Sequence, residues 1–196
     1  MATLFVDKVD PQSGTSLEIG SSGDTITIPS GATITNNGTQ TGFGGTNTPA
    51  FQITRNSYQT VSANTSTKVE LDNVRIDTAS GFDATNDRWV VPSGQGGKYS
   101  ISWQIFGDAG ADSELRLLDA TLKVNGTNTL SSICDFRNNN GRQVTVGNTA
   151  ILDLSASDYL ELWGAIYDTS GSPQFGGGSS GGERYKTQMN GYKIIE

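Results

Sequence analysis

The chain contains no histidine. That removes the commonest general base, the usual zinc ligand and every histidine-containing catalytic triad. Cys134 is the single cysteine, which excludes a disulfide scaffold and is consistent with synthesis in a reducing compartment. Basic residues number 13 against 20 acidic ones, for a net charge of −7, and no Lys/Arg cluster occurs. Nucleic acid is therefore not an expected partner, because phosphate binding rests on concentrated positive charge. No apolar run approaches the roughly 18 residues of a membrane helix, so no membrane insertion is expected. The first residues, Met1-Ala2-Thr3-Leu4-Phe5-Val6-Asp7, lack the basic segment and long apolar core of a signal peptide. The glycine-rich run at 176–182 lacks a Lys-Ser/Thr pair and a following helical pattern, so it is not a phosphate loop, and no nucleophile elbow occurs. No catalytic residue is expected, and no cofactor. Twenty acidic residues yield many accidental pairs, so a glycan-hydrolysing carboxylate pair stays a remote alternative.

What is present is turn-rich and strand-rich. The 25 glycines accompany many Ser, Thr and Asn, and amphipathic runs of helix formers are nearly absent. Residues 24–45 read DTITIPSGATITNNGTQTGFGG. Thr25-Ile26-Thr27-Ile28 is followed eight residues later by Thr33-Ile34-Thr35-Asn36. Each unit alternates β-branched residues at period 2. Each is also too poor in apolar surface to offset about 1–2 kcal/mol per residue of backbone ordering. One copy should not fold alone, whereas several copies wound about one axis can pool their isoleucines. Leu17, Ile19, Ile26, Ile28 and Ile34 are the expected stem contacts. Residues 13–48 thus read as an oligomeric β stem and linker. Residues 1–12, with Leu4, Phe5 and Val6, read as an attachment segment.

From Phe51 onward the composition shifts to aromatics, charges and longer alternations. Tyr99, Ile101, Trp103 and Ile105 alternate with Ser100, Ser102 and Gln104, the pattern of a half-buried strand. Leu118, Ala120, Leu122 and Val124 form another, ending at the hairpin signal Asn125-Gly126. Strands spaced by about ten residues with no helix between them indicate an all-β antiparallel sandwich or jelly roll.

The order of landmarks resembles the C1q/TNF-like jelly-roll family. The landmarks are Ala50-Phe51-Gln52-Ile53, Val69-Glu70-Leu71-Asp72, Trp89-Val90-Val91-Pro92 with Gly97-Lys98-Tyr99, Lys123-Val124-Asn125-Gly126, the segment Leu154 to Leu162, and Met189-Asn190-Gly191-Tyr192-Lys193-Ile194-Ile195. Ser157 stands where the family has glycine, and Met189 where it has phenylalanine. The resemblance implies a C1q/TNF-like knob over residues 49–196. The first 45 residues are similar to the N-terminal stretch of fibre proteins encoded by tailed phages, particularly of marine and cyanobacterial hosts. That similarity implies a homotrimeric virion protein, assembled in the host bacterial cytoplasm and joined to other virion proteins through its N-terminus.

Three candidate surfaces follow. On residues 159–167, Leu160, Leu162 and Ile166 suit the core. Tyr159, Trp163 and Tyr167, with Tyr192, suit a subunit interface, where aromatics are enriched. The loop at 169–183 offers Gln174, Phe175 and Gly176 as a receptor-contact rim. Asp108, Asp112 and Glu114 are three carboxylates within seven residues, weak candidates for Ca²⁺. The expected function is adhesion of a trimeric knob to host-surface glycan or receptor. The alternative is a head-fibre or capsid decoration protein without essential receptor binding, and the remote one a polysaccharide depolymerase.

Overall fold

The computed structural model describes residues 7–38, 47–169, 171–176 and 186–194. It divides into two compact units, Met1–Phe43 and Gly44–Glu196, and each is taken by itself. Leu4, Phe5 and Val6 lie outside the described residues.

The described residues of the first unit contain no strand. Their order comes from turns. Asp24 N donates to Ser21 O at 2.9 Å, and Ala32 N donates to Pro29 O at 3.1 Å. Gly23 and Gly31 take the third position of these turns with φ of +95° and +84°, the left-handed geometry a type II turn demands. Leu17, Ile19, Ile26, Ile28 and Ile34 are all exposed, from 43% to 65%. The expected strands are thus absent from a single copy. A strand needs a hydrogen-bonding neighbour, and one copy of this segment offers none.

The second unit is all strand among its described elements. In chain order these are β1 (Ala50–Thr54), β2 (Gln59–Thr60), β3 (Thr67–Lys68), β4 (Asn73–Asp77), β5 (Phe82–Asp83), β6 (Arg88–Val90), β7 (Gly97–Asp108), β8 (Leu115–Val124), β9 (Thr127–Asp135), β10 (Gln143–Leu154), β11 (Tyr159–Asp168), β12 (Gln174–Phe175) and β13 (Gln188–Lys193). They form two antiparallel sheets. The first runs β2-β12-β7-β13-β1-β4, with β10 along the other edge of β7. The second runs β5-β6-β11-β8-β9, with β3 also on β11.

The alternation visible in the sequence decides which faces meet. Tyr99, Ile101, Trp103 and Ile105 of β7 are 0–2% exposed. Leu118, Ala120 and Leu122 of β8, and Leu160, Leu162 and Ile166 of β11, are fully buried opposite them. Trp89 closes one end of the core. It stacks on Phe51 with ring centroids 4.2 Å apart and meets Tyr99 edge-on at 5.7 Å. Asn125 and Gly126 turn the β8–β9 hairpin with φ of +52° and +76°, as a type I′ turn requires. Ser157 carries φ of +75° in the turn before β11. Met189 is fully buried.

Candidate functional site

The two sheets bury similar residues inward and present different chemistry outward. On the first sheet, register places side chains in rows across β1, β13, β7 and β10. Ala50, Tyr192, Ser100 and Ile151 form one row. Gln52, Asn190, Ser102 and Thr149 form the next, with Ile76 of β4 beyond Gln52. Gln188, Gln104 and Gly147 form the third. None of these residues is charged. Lys98 opposite Asp153 bounds the face at one end, and Lys186, 4.1 Å over the Phe106 ring, bounds it at the other.

Some polar groups of this face pair with one another. Gln52 Nε2 donates to Gln188 Oε1 at 2.8 Å, and the Ser102 and Thr149 hydroxyls meet at 2.6 Å. Gln104 Nε2 donates to the Lys186 carbonyl at 2.7 Å. Each such pair lowers the cost of covering its two groups. Exposed aliphatics flank it: Ile76 at 49%, Val74 at 48% and Ile151 at 66%, with Tyr192 at 45%. A shallow depression over it is lined by Ser102, Gln104, Thr145, Thr149, Gln188 and Asn190.

The outward face of the second sheet is laced with charge. Lys68 Nζ reaches Glu161 Oε1 at 2.6 Å, and Trp163 Nε1 donates to the other oxygen of Glu161 at 3.2 Å. Lys123 Nζ stands 3.5 Å over the Trp163 ring, and the Arg88 guanidinium 4.6 Å over Tyr159. Asp119 accepts from Thr121 Oγ1 at 3.0 Å, and burial pushes the Asp119 carboxyl up.

The four aromatics expected at one subunit interface are therefore divided. Tyr159, Trp163 and Tyr167 lie on the outward face of the second sheet, and Tyr192 on that of the first. Cation–ring contacts already occupy Tyr159 and Trp163. Tyr167 is 41% exposed.

The receptor-rim expectation for Phe175 is corrected. Its side chain is fully buried. Residues 174–175 form β12, wedged between β2 and the end of β7, with Phe175 opposite Gly107. Gly164 supplies the space for the ring. A Cβ there would stand 2.9 Å from Phe175 Cζ and 2.6 Å from Ile105 Cδ1. Gly176 is likewise buried against the Phe106 ring, and Gln174 is half-buried.

The acidic cluster near the end of β7 is also corrected. Asp108 accepts from Gly110 N at 2.8 Å and from Gln143 Nε2 at 2.7 Å. Arg142 bridges it to Asp112, at 3.5 and 3.4 Å. A guanidinium thus stands between two of the three carboxylates considered for Ca²⁺, and their charges hold it firmly protonated. Glu114 turns away to accept from Thr169 Oγ1. Among the described residues no group of three or more acidic, histidine or cysteine side chains is arranged to hold a metal. Nearby, Asp168 is 4% exposed and its Oδ2 has no hydrogen-bond partner. Burial, and then the charge of Glu114, push its carboxyl up.

Sequence reading missed Gln52, Ser102, Gln104, Thr149, Gln188 and Asn190. Their one signal is neutrality at the outward positions of four strands, visible only once the strands are registered.

No protein-family model and no curated protein matches the chain. Solved structures do. The globular domain of zebrafish complement 1qA protein aligns at 17% identity, TM-score 0.49, over 74% of this chain and 97% of its own. Murine APRIL at pH 5.0 aligns at 10% identity and TM-score 0.51, over 74% of this chain and 98% of its own. Eiger TNF from S. frugiperda aligns at 15% identity and TM-score 0.50, over 74% of this chain and 91% of its own. The chain carries a C1q/TNF-like antiparallel jelly roll.

Proposed function

We propose that the protein is a homotrimeric adhesive fibre of a tailed-phage virion: a short β stem holding a jelly-roll knob that engages host-surface glycan or receptor. The observation that carries the assembly is the outward face of β1, β13, β7 and β10. Three rows of uncharged residues, with two hydrogen-bonded side-chain pairs among them and exposed isoleucines at the rim, suit coverage by a neighbouring copy. Interface cores are depleted of charge in the same way. The exposed aliphatics at 17–34 ask for partners in the first unit too. Three copies on one axis turn weak single-site contacts into avidity, by 10²–10⁴ in favourable geometry. No catalytic role is assigned. The phage setting rests on the resemblance of the first 45 residues to fibre stems. A decoration role on the capsid or baseplate is the second reading.

Native mass spectrometry of the purified chain tests the assembly. A species at three times 20.7 kDa is expected, and a species at one chain mass would remove it. Adsorption tests the adhesive role: particles lacking residues 49–196 should bind host cells more slowly, and an unchanged rate would leave only the decoration role.

A further inference from the structure

The loop that joins β9 to β10, residues 136–142, reads FRNNNGR. Both of its ends are tied to the start of β8. Phe136 N donates to Arg116 O at 2.7 Å, and Leu115 and Gly141 exchange both backbone bonds at 2.9 Å. Between these ties Asn139 N donates to Phe136 O at 2.8 Å. The Phe136 ring packs against the core, with Gly141 beside it. A loop pinned in this way holds its side chains in place before any ligand arrives.

Asp135 and Arg137 fix each other. The carboxylate accepts from Arg137 N at 2.9 Å and from Arg137 Nε at 2.9 and 2.8 Å, and Nη2 donates to it as well. The fork is thus set, and the pair cancels its own charge. Among the described residues Arg137 Nη1 has no acceptor, and the side-chain amides of Asn138 and Asn139 have no partner. These groups and Phe136 line an open cavity of about 520 Å³. That lies within the roughly 300–1,000 Å³ of small-molecule sites.

Apolar surface adjoins the cavity. Asp135 stands opposite Leu117, and Leu117 opposite Tyr167, so the three side chains form one row on the outward face of the second sheet. Fixed donors and acceptors therefore sit beside aliphatic and aromatic surface. A sugar asks for that combination: its hydroxyls bond amides, carboxylate and guanidinium, and its C–H face lies on apolar groups. The Asp135–Arg137 pair is balanced and the amides carry no charge, which fits a neutral sugar. Arg116 also acts on Asp135, so an anionic sugar enters the test as the rival.

The cavity lies at the far end of the sandwich from where the chain enters it. Ala50 opens β1 beside Tyr192 and Ser100, whereas Asp108, opposite Gln143, closes β7 next to the loop. Ser100 to Asp108 spans about 25 Å at the rise of a strand. The loop is also off the neutral face assigned to a neighbouring copy. We propose that the β9–β10 loop, through Arg137, Asn138 and Asn139, is the knob's binding site for a neutral sugar unit of a surface glycan. The inference rests on the adhesive reading above and gives it a location.

The test uses the full chain and saturation-transfer NMR with glucose, galactose, mannose, N-acetylglucosamine and glucuronate. Each is present at about 10 mM, enough to occupy a site of millimolar Kd. The native chain is compared with the double variant Asn138→Ala with Asn139→Ala, and with Asn128→Ala, an exposed amide at the opposite end of β9. Fluorescence of Trp89, Trp103 and Trp163 reports knob folding in each. The native chain and Asn128→Ala should transfer saturation to at least one neutral sugar. The double variant, equally folded, should bind it about tenfold more weakly, the effect of losing two hydrogen bonds. No transfer to any neutral sugar overturns the proposal, and so does transfer to glucuronate alone, which would assign the loop's cations to an anion. Binding undiminished in the double variant, or reduced equally in Asn128→Ala, overturns it too and leaves the adhesive reading standing elsewhere on the knob. That reading falls separately, if particles lacking residues 49–196 adsorb at an unchanged rate.

Discussion

The outward faces of the two sheets belong to the same sandwich and share the same interior, yet they solve opposite problems. The face of β1, β13, β7 and β10 carries no charge across three rows and ties Gln52 to Gln188 and Ser102 to Thr149. The face of β11 and β8 strings Lys68, Glu161, Trp163 and Lys123 into one network. Charges of that kind are at ease in water and expensive to cover. Neutral groups already bonded to one another lose little when covered. Aromatic content points to the charged face, and absence of charge points to the other. Distribution of charge is the basis on which the proposed assembly assigns one face to water and the other to a neighbouring copy.

Perturbations can be ranked by how they break this comparison. The interior shared by both faces gives the largest effect. Trp89→Ala removes a fully buried ring stacked on Phe51 and should cost about 3–5 kcal/mol. Denaturant unfolding followed by circular dichroism would show it, and a loss under 1 kcal/mol would mean the ring is not central. Next comes the neutral face. Ser102→Lys places an unpaired ammonium in a covered row, at about 3–5 kcal/mol per buried charge, and should dissociate the assembly without unfolding the knob. Tyr167→Lys on the other face should leave assembly unchanged. Dissociation by Tyr167→Lys with survival of Ser102→Lys would reverse the assignment.

Much of the fold was legible because it rests on local alternation. Tyr99 to Ile105 announced β7, and Asn125-Gly126 announced the β8–β9 hairpin. The even set of β11 read correctly as core. Phe175 was not legible. Its strand has two residues, too few for any period, and its burial depends on Gly107 and on the space left by Gly164. The role of Arg142 was hidden because its carboxylate partners lie 30 and 34 residues away. The neutral face was hidden for a different reason. No single strand is unusual, and the pattern exists only after four strands are set in register.

Smaller effects sharpen the charged face and the end of the sandwich near Asp168. Lys123→Ala removes the cation over Trp163 and should cost about 0.5–1 kcal/mol, with no change in assembly. A shift in sedimentation on this variant would bring Trp163 back to the interface. Asp168 should respond to pH. Its carboxyl is pushed up in the folded chain, so the folded state binds the proton more tightly than the unfolded one. Stability then falls as pH rises from the ordinary carboxylate value through the raised one. Asp168→Asn should stabilise at neutral pH by on the order of 1 kcal/mol, with the gain fading as pH drops toward 4. A gain independent of pH would contradict this. Asp135 has the opposite sign. Hydrogen bonds from Arg137 hold it down to about 2, so its contribution is complete above the ordinary carboxylate range and lost only as pH falls toward 2. The pair is exposed, so melting curves should show the smallest change of the series.

Sedimentation equilibrium of the full chain beside Ser102→Lys tests the central claim most directly. The native chain should sediment at three times 20.7 kDa and the variant at 20.7 kDa, both with folded knobs. A native chain at 20.7 kDa, or a variant that stays at three times that mass, would contradict the assignment of the neutral face.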